Sequence, residues 1–248
     1  MNDRIQRFPT TQWNVVIAAQ GVHTPDARQA LERLFETYWY PVYAFIRSRT
    51  KDPADAEDLT QGFFTNLLDH CSLDSVKPEL GRFRAFLLAS AKHYLSVERA
   101  RVKAHKRGGG KPALPLDFVS ADRRYRLEGP PDDNPEVRFE RQWARATFEA
   151  AEEELRSQFV AAGKAIQFEA FRPYLAAGGD PVSYAEMAAG LEMTEAAVKV
   201  AVHRARRHFG RILREQIAET VAASGAEPRA WEHDINDEIS YLFRMLGR

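Results

Sequence analysis

The segment 82–111 carries the densest chemical signal in this sequence. Nine Lys or Arg residues stand there against one acid, Glu98, and aromatic residues such as Phe83, Phe86 and Tyr94 are interleaved with them. Positive charge follows a nucleic-acid backbone while aromatic faces stack on bases, so the pattern favours single-stranded nucleic acid. Phe83 and Phe86 also have the spacing of core residues, and we expect most of the aromatics to pack. The predicted contacts are Arg84, Lys92, His93, Arg99 and Arg101.

A second basic region follows two short helical patterns between Ser183 and Arg207. Ser183 with Glu186 forms a capping box and Thr194 is a second N-cap, so the spacing predicts a helix-turn-helix. The second helix of such a motif enters the DNA major groove by its N-terminal residues. The alternative is a solvated amphipathic helix. The predicted DNA contacts here are Thr194, Glu195, Ala196, Lys199, Val200, His203, Arg204, Arg206 and Arg207.

An acidic cluster, Asp55, Glu57 and Asp58, falls in the first turns of a helix that Asp52 would cap and Pro53 would open. Carboxylates at this position complement the helix dipole, which is one explanation, and a surface for a protein partner is the other. No His or Cys lies nearby in sequence to complete a metal site, so none is expected.

Catalysis has little support in the sequence. The single cysteine, Cys71, and the dispersed histidines lack the partners that nucleophilic or metal chemistry needs. The run Gly108 to Gly110 is followed by Pro112 where a phosphate-binding loop needs Ser or Thr. We therefore expect no enzyme activity, no catalytic residue, no metal and no cofactor.

Apolar residues recur at helical spacing along most of the chain, so the predicted fold class is all-α. We expect two helical domains, 1–107 and 136–221, joined by a flexible linker at 108–135 that is rich in Gly and Pro. One long helix is predicted from about Arg82 to Lys106 and another from Glu136 to about Ala161.

Residues 222–248 are expected to form a C-terminal extension helix. Its apolar stripe must pack on one of the two domains, and its acids Asp234, Asp237 and Glu238 are expected near a basic surface. The stripe consists of Ile235, Ile239, Leu242, Phe243 and Leu246.

Overall charge and hydrophobicity limit the cellular setting. Lys and Arg number 35 and so do Asp and Glu, so the net charge is zero and no overall field indicates a nucleic-acid or membrane partner. Hydrophobic residues at 44% exclude disorder throughout the chain. No apolar run has the length of a membrane helix or signal peptide, and one cysteine favours a reducing compartment. We therefore expect a cytoplasmic protein without membrane contact.

Four segments together resemble the extracytoplasmic-function sigma factors of bacterial RNA polymerase. They are Asp55-Ala-Glu-Asp-Leu-Thr-Gln61, Gly81-Arg-Phe-Arg-Ala-Phe-Leu-Leu88, Ser183-Tyr-Ala-Glu-Met-Ala188 and Ala197-Val-Lys-Val-Ala-Val-His-Arg-Ala-Arg206. The N-terminal Phe8-Pro-Thr-Thr-Gln-Trp13 and the C-terminal Asp237-Glu-Ile-Ser-Tyr-Leu-Phe243 are similar to a subgroup with a C-terminal extension.

The resemblance implies core RNA polymerase and promoter DNA as partners. Residues 1–107 would be region two, which binds the polymerase clamp and opens the minus-ten element, and 136–221 would be region four, which reads the minus-thirty-five element. Asp55, Glu57, Asp58 and Gln61 would meet the clamp, and the helix from Arg82 to Arg107 would hold the melted strand. A regulator that binds duplex DNA without polymerase is the alternative function.

The sequence departs from this family at two positions. Glu192 stands where glycine is usual in the turn, so it must accept or avoid a positive φ. Gly62 stands where an acid is common, and phosphorylation of Thr60 by a Ser/Thr kinase would restore the missing charge. An anti-sigma factor is the other regulator that the resemblance leaves open.

Overall fold

The computed structural model describes residues 25–70, 82–104, 116–128, 134–175, 183–221 and 228–247. Within these ranges the chain is all-α, as predicted, with one isolated antiparallel bridge between Arg82 and Val221. Cys71, the glycine run at 108–110, residues 8–13 and the cations 106, 107 and 111 lie outside the described ranges.

Helices make up most of the described residues. They are α1 (Pro25–Arg47), α2 (Pro53–His70), α3 (Phe83–Ala104), α4 (Phe118–Leu127), α5 (Pro135–Ala161), α6 (Ala165–Phe171) with a 3-10 turn at Arg172–Tyr174, α7 (Tyr184–Gly190), α8 (Glu195–Ala218) and α9 (Pro228–Met245). The long helices α3 and α5 lie within a few residues of their predicted bounds.

Backbone contacts divide the chain into two compact units. The first unit consists of 1–146 with 219–234, and the second consists of 147–218 with 235–248. The boundaries therefore fall inside α5 and α9.

Aromatic packing between α1, α2 and α3 forms the core of the first unit. Tyr38, Phe45, Phe63 and Phe83 are all at most 2% exposed. The rings of Tyr38 and Phe83 meet edge to face with centroids 4.9 Å apart, and the Trp143 indole nitrogen donates to the Tyr38 hydroxyl at 2.9 Å. Such ring pairs add stabilisation beyond the area they bury, so α1 and α3 are held at a defined spacing.

The helix α2 begins as the sequence predicts. The Ala54 amide donates to the Asp52 carboxylate at 2.9 Å, and Pro53 occupies the first helical position, where a missing N–H costs no hydrogen bond. The start of α2 is therefore set by two adjacent residues.

The helix α4 lies inside the segment predicted as a flexible linker. Its N-cap Asp117 accepts from the Ser120 amide at 3.0 Å, and Phe118 and Ala121 are buried. Asp122 accepts hydrogen bonds from the Tyr43 hydroxyl and the Arg47 guanidinium of α1 at 3.2 Å and 3.0 Å. Tertiary contacts to α1 stabilise a helix whose short apolar pattern was too weak to detect between Gly-rich and Pro-rich flanks.

In the second unit, the C-terminal part of α5 packs against both α8 and α6. Phe148 and Phe209 have ring centroids 4.9 Å apart, and Phe159 and Phe168 are 5.9 Å apart. A proline within a helix predicts an interruption, and near Pro173 the structure has one: α6 ends at Phe171 and continues as the 3-10 turn.

The C-terminal stripe is packed, as predicted. Ile235 and Leu242 are 1% and 0% exposed. The Arg214 guanidinium of α8 donates to the Asn236 side-chain carbonyl at 2.5 Å. Glu238 is buried at 1% exposure, and the expectation that the acids of this helix lie near a basic surface stays a prediction.

Candidate nucleic-acid and polymerase interface

The acidic cluster lies on the first turns of α2. Asp55 and Asp58 are exposed, and Glu57 and Gln61 are partly exposed. The helix thus presents carboxylates at its N-terminal end, where the dipole also favours them. This arrangement suits both explanations that the sequence left open, and it leaves the acids accessible to a basic partner.

Thr60 lies on the opposite side of α2, inside the core. It is 0% exposed and its hydroxyl donates to the Ala56 carbonyl at 2.7 Å, one turn back. A kinase needs an accessible hydroxyl, and a phosphate here would place about two negative charges among buried side chains. The prediction of a phosphorylation site at Thr60 is therefore wrong for the folded chain. The sequence pattern did not reveal that position 60 faces inward.

Gly62 allows α3 to approach α2 closely. A Cβ at this position would overlap the Tyr94 hydroxyl oxygen. Burial, together with the nearby Glu98, raises the pKa of Tyr94 to about 12, so its hydroxyl keeps its proton at neutral pH. The glycine at position 62 therefore leaves room for Tyr94, and it also lacks the surface charge of an acid.

Arg84 is a structural residue. It is 8% exposed, its guanidinium pairs with Glu140 at 2.5 Å and lies 4.9 Å from the Trp143 ring centroid. A guanidinium held by a carboxylate and an aromatic face is not available to a DNA phosphate. The prediction that Arg84 contacts DNA is wrong, because the cation count along α3 carried no information on burial.

The other four predicted contacts of α3 lie on its exposed side. Lys92, His93, Arg99 and Arg101 are all exposed. Lys92 pairs with Glu136 at 2.8 Å and Arg101 with Glu98 at 3.2 Å. The prediction that most aromatics pack is confirmed for Phe83 and Phe86, which are 0% and 2% exposed.

One cation near this face was missed from the sequence. Arg49 follows α1, lies over the Phe45 ring at 3.9 Å and approaches Glu136 at 3.5 Å. Its Nη1 atom is buried and has no hydrogen-bond partner among the described residues. Burial lowers the pKa of Arg49, the charge of Glu136 opposes that effect, and repulsion from Arg99 adds to it. Only the tertiary structure brings Arg49, which follows α1, to the carboxylate that also pairs with Lys92 of α3.

In the second unit, α7 and α8 are joined by a turn at 191–194, as the capping signals predict. The Glu186 amide donates to the Ser183 hydroxyl at 3.2 Å, and the Ser183 amide donates to the Glu186 carboxylate at 3.0 Å. The Ala197 amide donates to the Thr194 hydroxyl at 3.2 Å. Glu192 has φ 53°, so it adopts the left-handed conformation that glycine would take more easily.

The predicted contact residues of α8 fall on two sides of the helix. Thr194, Glu195, Lys199, His203, Arg206 and Arg207 are exposed and do not line the adjoining groove. Lys199 pairs with Glu195 at 2.6 Å and lies 5.8 Å from the Tyr184 ring centroid. The hydrogen bond from Lys199 to Glu195 raises the pKa of the lysine.

Ala196, Val200 and Arg204 instead line a groove between α5, α6 and α8, with a volume of about 720 Å³. Phe159 and Phe171 contribute apolar surface, and Lys164, Arg204 and His208 contribute cationic or titratable groups; Val200 is 50% exposed. No sequence pattern predicted this groove, because its walls come from three separate helices.

The described ranges contain neither a membrane-spanning helix nor a metal-binding cluster. No helix there is long and apolar enough to cross a membrane. Nor do these ranges bring three His, Cys, Asp or Glu side chains together in a way that could hold a metal ion.

Comparison with known proteins identifies one part of the chain. Residues 34–101 match the family model Sigma-70 region 2; the match covers about a quarter of the sequence, begins within α1 and ends inside α3, three residues before Ala104. Searches of curated proteins and of solved structures found no match. The match supports a sigma factor and a role in transcription initiation, and region 2 of such factors binds core RNA polymerase and promoter DNA.

Proposed function

We propose that this chain is a sigma factor of the extracytoplasmic-function type, which directs core RNA polymerase to specific promoters. The match of residues 34–101 to Sigma-70 region 2 carries the proposal, because it covers both the acidic start of α2 and the exposed basic side of α3. As a promoter-specificity subunit the chain would work in the cytoplasm beside the polymerase and would itself catalyse nothing.

The proposed polymerase contact is the N-terminal end of α2. Asp55, Glu57, Asp58 and Gln61 lie together on the outside of the first unit, with Asp55 and Asp58 exposed. Charge complementarity with a basic clamp would speed association and orient the two partners. Thr60 faces the core beneath this surface, so we do not propose a kinase acting there.

The proposed contact with the melted promoter strand is the exposed side of α3. Lys92, His93, Arg99 and Arg101 project from one helix, and their spacing allows successive contacts along a phosphate backbone. Arg84 is excluded from this surface by its burial, so four of the five predicted residues remain.

The proposed reader of the minus-thirty-five element is α8. Thr194 caps the helix, and the exposed Lys199, His203, Arg206 and Arg207 suit base edges near the N-terminus and phosphates farther along. Here the family match gives no support, because residues 183–218 lie outside it. The support is the capped turn and the row of exposed cations.

Transcription in vitro tests the proposal. The full chain is added to core polymerase with a library of promoter fragments, and transcript starts are mapped. Lys199→Ala should change sequence preference, with a loss of about 1 to 3 kcal/mol at one base pair, whereas Arg207→Ala should weaken all promoters alike. Asp55→Asn with Asp58→Asn should lower polymerase binding.

A regulator that binds duplex DNA without polymerase is the competing function. It predicts specific DNA binding by the chain alone and no promoter-directed transcript when core polymerase is added. It also leaves the region-two match unexplained. An anti-sigma factor would inhibit by covering the start of α2 or the exposed side of α3, and pull-down with each surface variant would locate such a contact.

A further inference from the structure

The first turn of α5 places a carboxylate among cations of the first unit. Glu136 accepts from the Lys92 ammonium at 2.8 Å and lies 3.5 Å from the Arg49 guanidinium. Asn134 fixes the local backbone, because its side-chain oxygen accepts from the Glu136 amide at 3.1 Å. The hydrogen bond from Lys92 is the main reason that the pKa of Glu136 is lowered, so the carboxylate is ionised at neutral pH.

Positive charge around this carboxylate exceeds what one acid neutralises. Lys92 is on the exposed side of α3 and Arg49 is 23% exposed; Arg99 is close enough for its repulsion to lower the pKa of Arg49. The Nη1 atom of Arg49 is buried without a hydrogen-bond partner among the described residues. A backbone phosphodiester offers two non-bridging oxygens to such donors, as a carboxylate does, and guanidinium groups bind it readily.

We propose that Glu136 is an autoinhibitory residue, which occupies Lys92 and Arg49 in the free chain and must leave before a nucleic-acid phosphate binds there. The inference rests on the proposed function of α3 as the contact for the melted strand. It adds Arg49 to that contact and gives the start of α5 a regulatory role.

The contact has the strength that such a switch needs. Glu136 and Lys92 are 35% and 45% exposed, so their ion pair is weak and a phosphate can displace it. The neighbouring pair of the same two helices, Arg84 with Glu140, is buried and would keep this part of α5 in place while Glu136 turns away. Opening therefore needs a side-chain movement and not the unfolding of a helix.

Binding of single-stranded DNA by the full chain tests the proposal. The probe is a fluorescein-labelled oligothymidylate, followed by fluorescence anisotropy at several salt concentrations. We expect Glu136→Gln to bind about 2- to 5-fold more tightly than the parent, the range that an exposed ion pair allows. The matched control is Glu153→Gln, an exposed acid of the same helix that pairs with Arg156 at 3.2 Å and should leave affinity unchanged.

A double variant links the effect to the cation. Adding Lys92→Ala to Glu136→Gln should remove the gain and reduce the slope of log affinity against log salt by about 0.7, the value for one phosphate contact on a single strand. Thermal unfolding of each protein checks that the fold is kept.

Two results would overturn the inference: Glu136→Gln binding no more tightly than Glu153→Gln, or a gain that persists without Lys92. Failure of the proposed function looks different, because it is the absence of promoter-directed transcription with core polymerase. If the parent transcribes and Glu136→Gln binds DNA with parental affinity, only the autoinhibitory role of Glu136 is refuted. If Glu136→Gln binds DNA more tightly but no protein directs transcription, the autoinhibitory role is supported and the sigma-factor function is refuted.

Discussion

Gly62 is the residue of α2 that its neighbour constrains most closely. The Tyr94 hydroxyl occupies the space of a side chain at position 62, and the ring of Tyr94 packs on Phe63 with centroids 5.7 Å apart. An acid at this position would have to push the tyrosine out of the interface between α2 and α3. The two residues therefore form one packing unit beneath the proposed clamp surface.

Gly62→Ala should destabilise the first unit although alanine is the better helix former. Overpacking costs about 1 to 3 kcal/mol, which exceeds the gain of about 1 kcal/mol in helix propensity. Tyr94→Phe removes the clashing oxygen, and the next ring atom is then 3.5 Å from the new Cβ. Urea unfolding should find the double variant at least as stable as Tyr94→Phe alone; a double variant as unstable as Gly62→Ala would refute this account.

Arg84 and Lys92 of α3 differ in burial, although both were predicted from the sequence to contact DNA. The Arg84 guanidinium pairs with Glu140 at 2.5 Å, and Arg84→Ala removes this partner. Breaking a buried pair costs about 3 to 5 kcal/mol of folding stability. Lys92→Ala removes only a half-exposed pair and should change stability by less than about 1 kcal/mol. Chemical unfolding measures both. Equal stabilities for the two variants would contradict the structural role of Arg84 and would again favour a contact with DNA.

Among the elements, α4 depends most on tertiary contacts. Its ten residues are too few to be helical alone, and only Phe118 and Ala121 are buried. Asp122 connects it to α1 through Tyr43 and Arg47, and Arg126 pairs with its second oxygen at 2.5 Å. This carboxylate is therefore the main polar anchor of α4.

The Asp122 carboxylate should make the stability of the protein depend on pH under acidic conditions. Burial alone would raise the pKa of Asp122, but the Arg47 hydrogen bond and the Arg126 charge outweigh it and lower the pKa. Because an unfolded aspartate titrates near about pH 3.9, the stabilisation is present above that pH and is lost as the pH falls through the folded value. Asp122→Asn should be less stable than the parent at pH 7 and should lose less stability on acidification to pH 3. Parallel urea-midpoint curves for the two proteins would contradict this assignment.

At the scale of the whole molecule, the residues that follow α8 are divided between the two units. Residues 219–234 belong to the first unit, where the Phe83 amide donates to the Thr220 carbonyl at 2.9 Å, and 235–248 belong to the second. The C-terminal helix α9 is thus a structural part of both units as well as an extension. Its contribution to the second unit comes from Ile235, Leu242 and the bond from Arg214 to Asn236.

Leu242→Ala should destabilise the second unit by about 2 to 5 kcal/mol, because the leucine is fully buried and its removal leaves a cavity. Leu127→Ala is the matched control, since that leucine is 79% exposed and the change should cost less than about 0.5 kcal/mol. Differential scanning calorimetry measures both. A Leu242→Ala protein that unfolds like the control would mean that the C-terminal helix does not support the second unit.

The sequence alone determined the helical class, the capped starts of α2, α7 and α8, and the acidic and basic segments, because these depend on residue type and spacing within one or two turns. Tertiary structure decided which of the predicted site residues are exposed and can therefore bind a partner. Thr60 and Arg84 have the residue types of functional sites but face the core, and α4 exists because α1 supplies Tyr43 and Arg47. The cluster of Arg49, Lys92 and Glu136 draws on three segments distant in the chain, and only packing could bring their charges together.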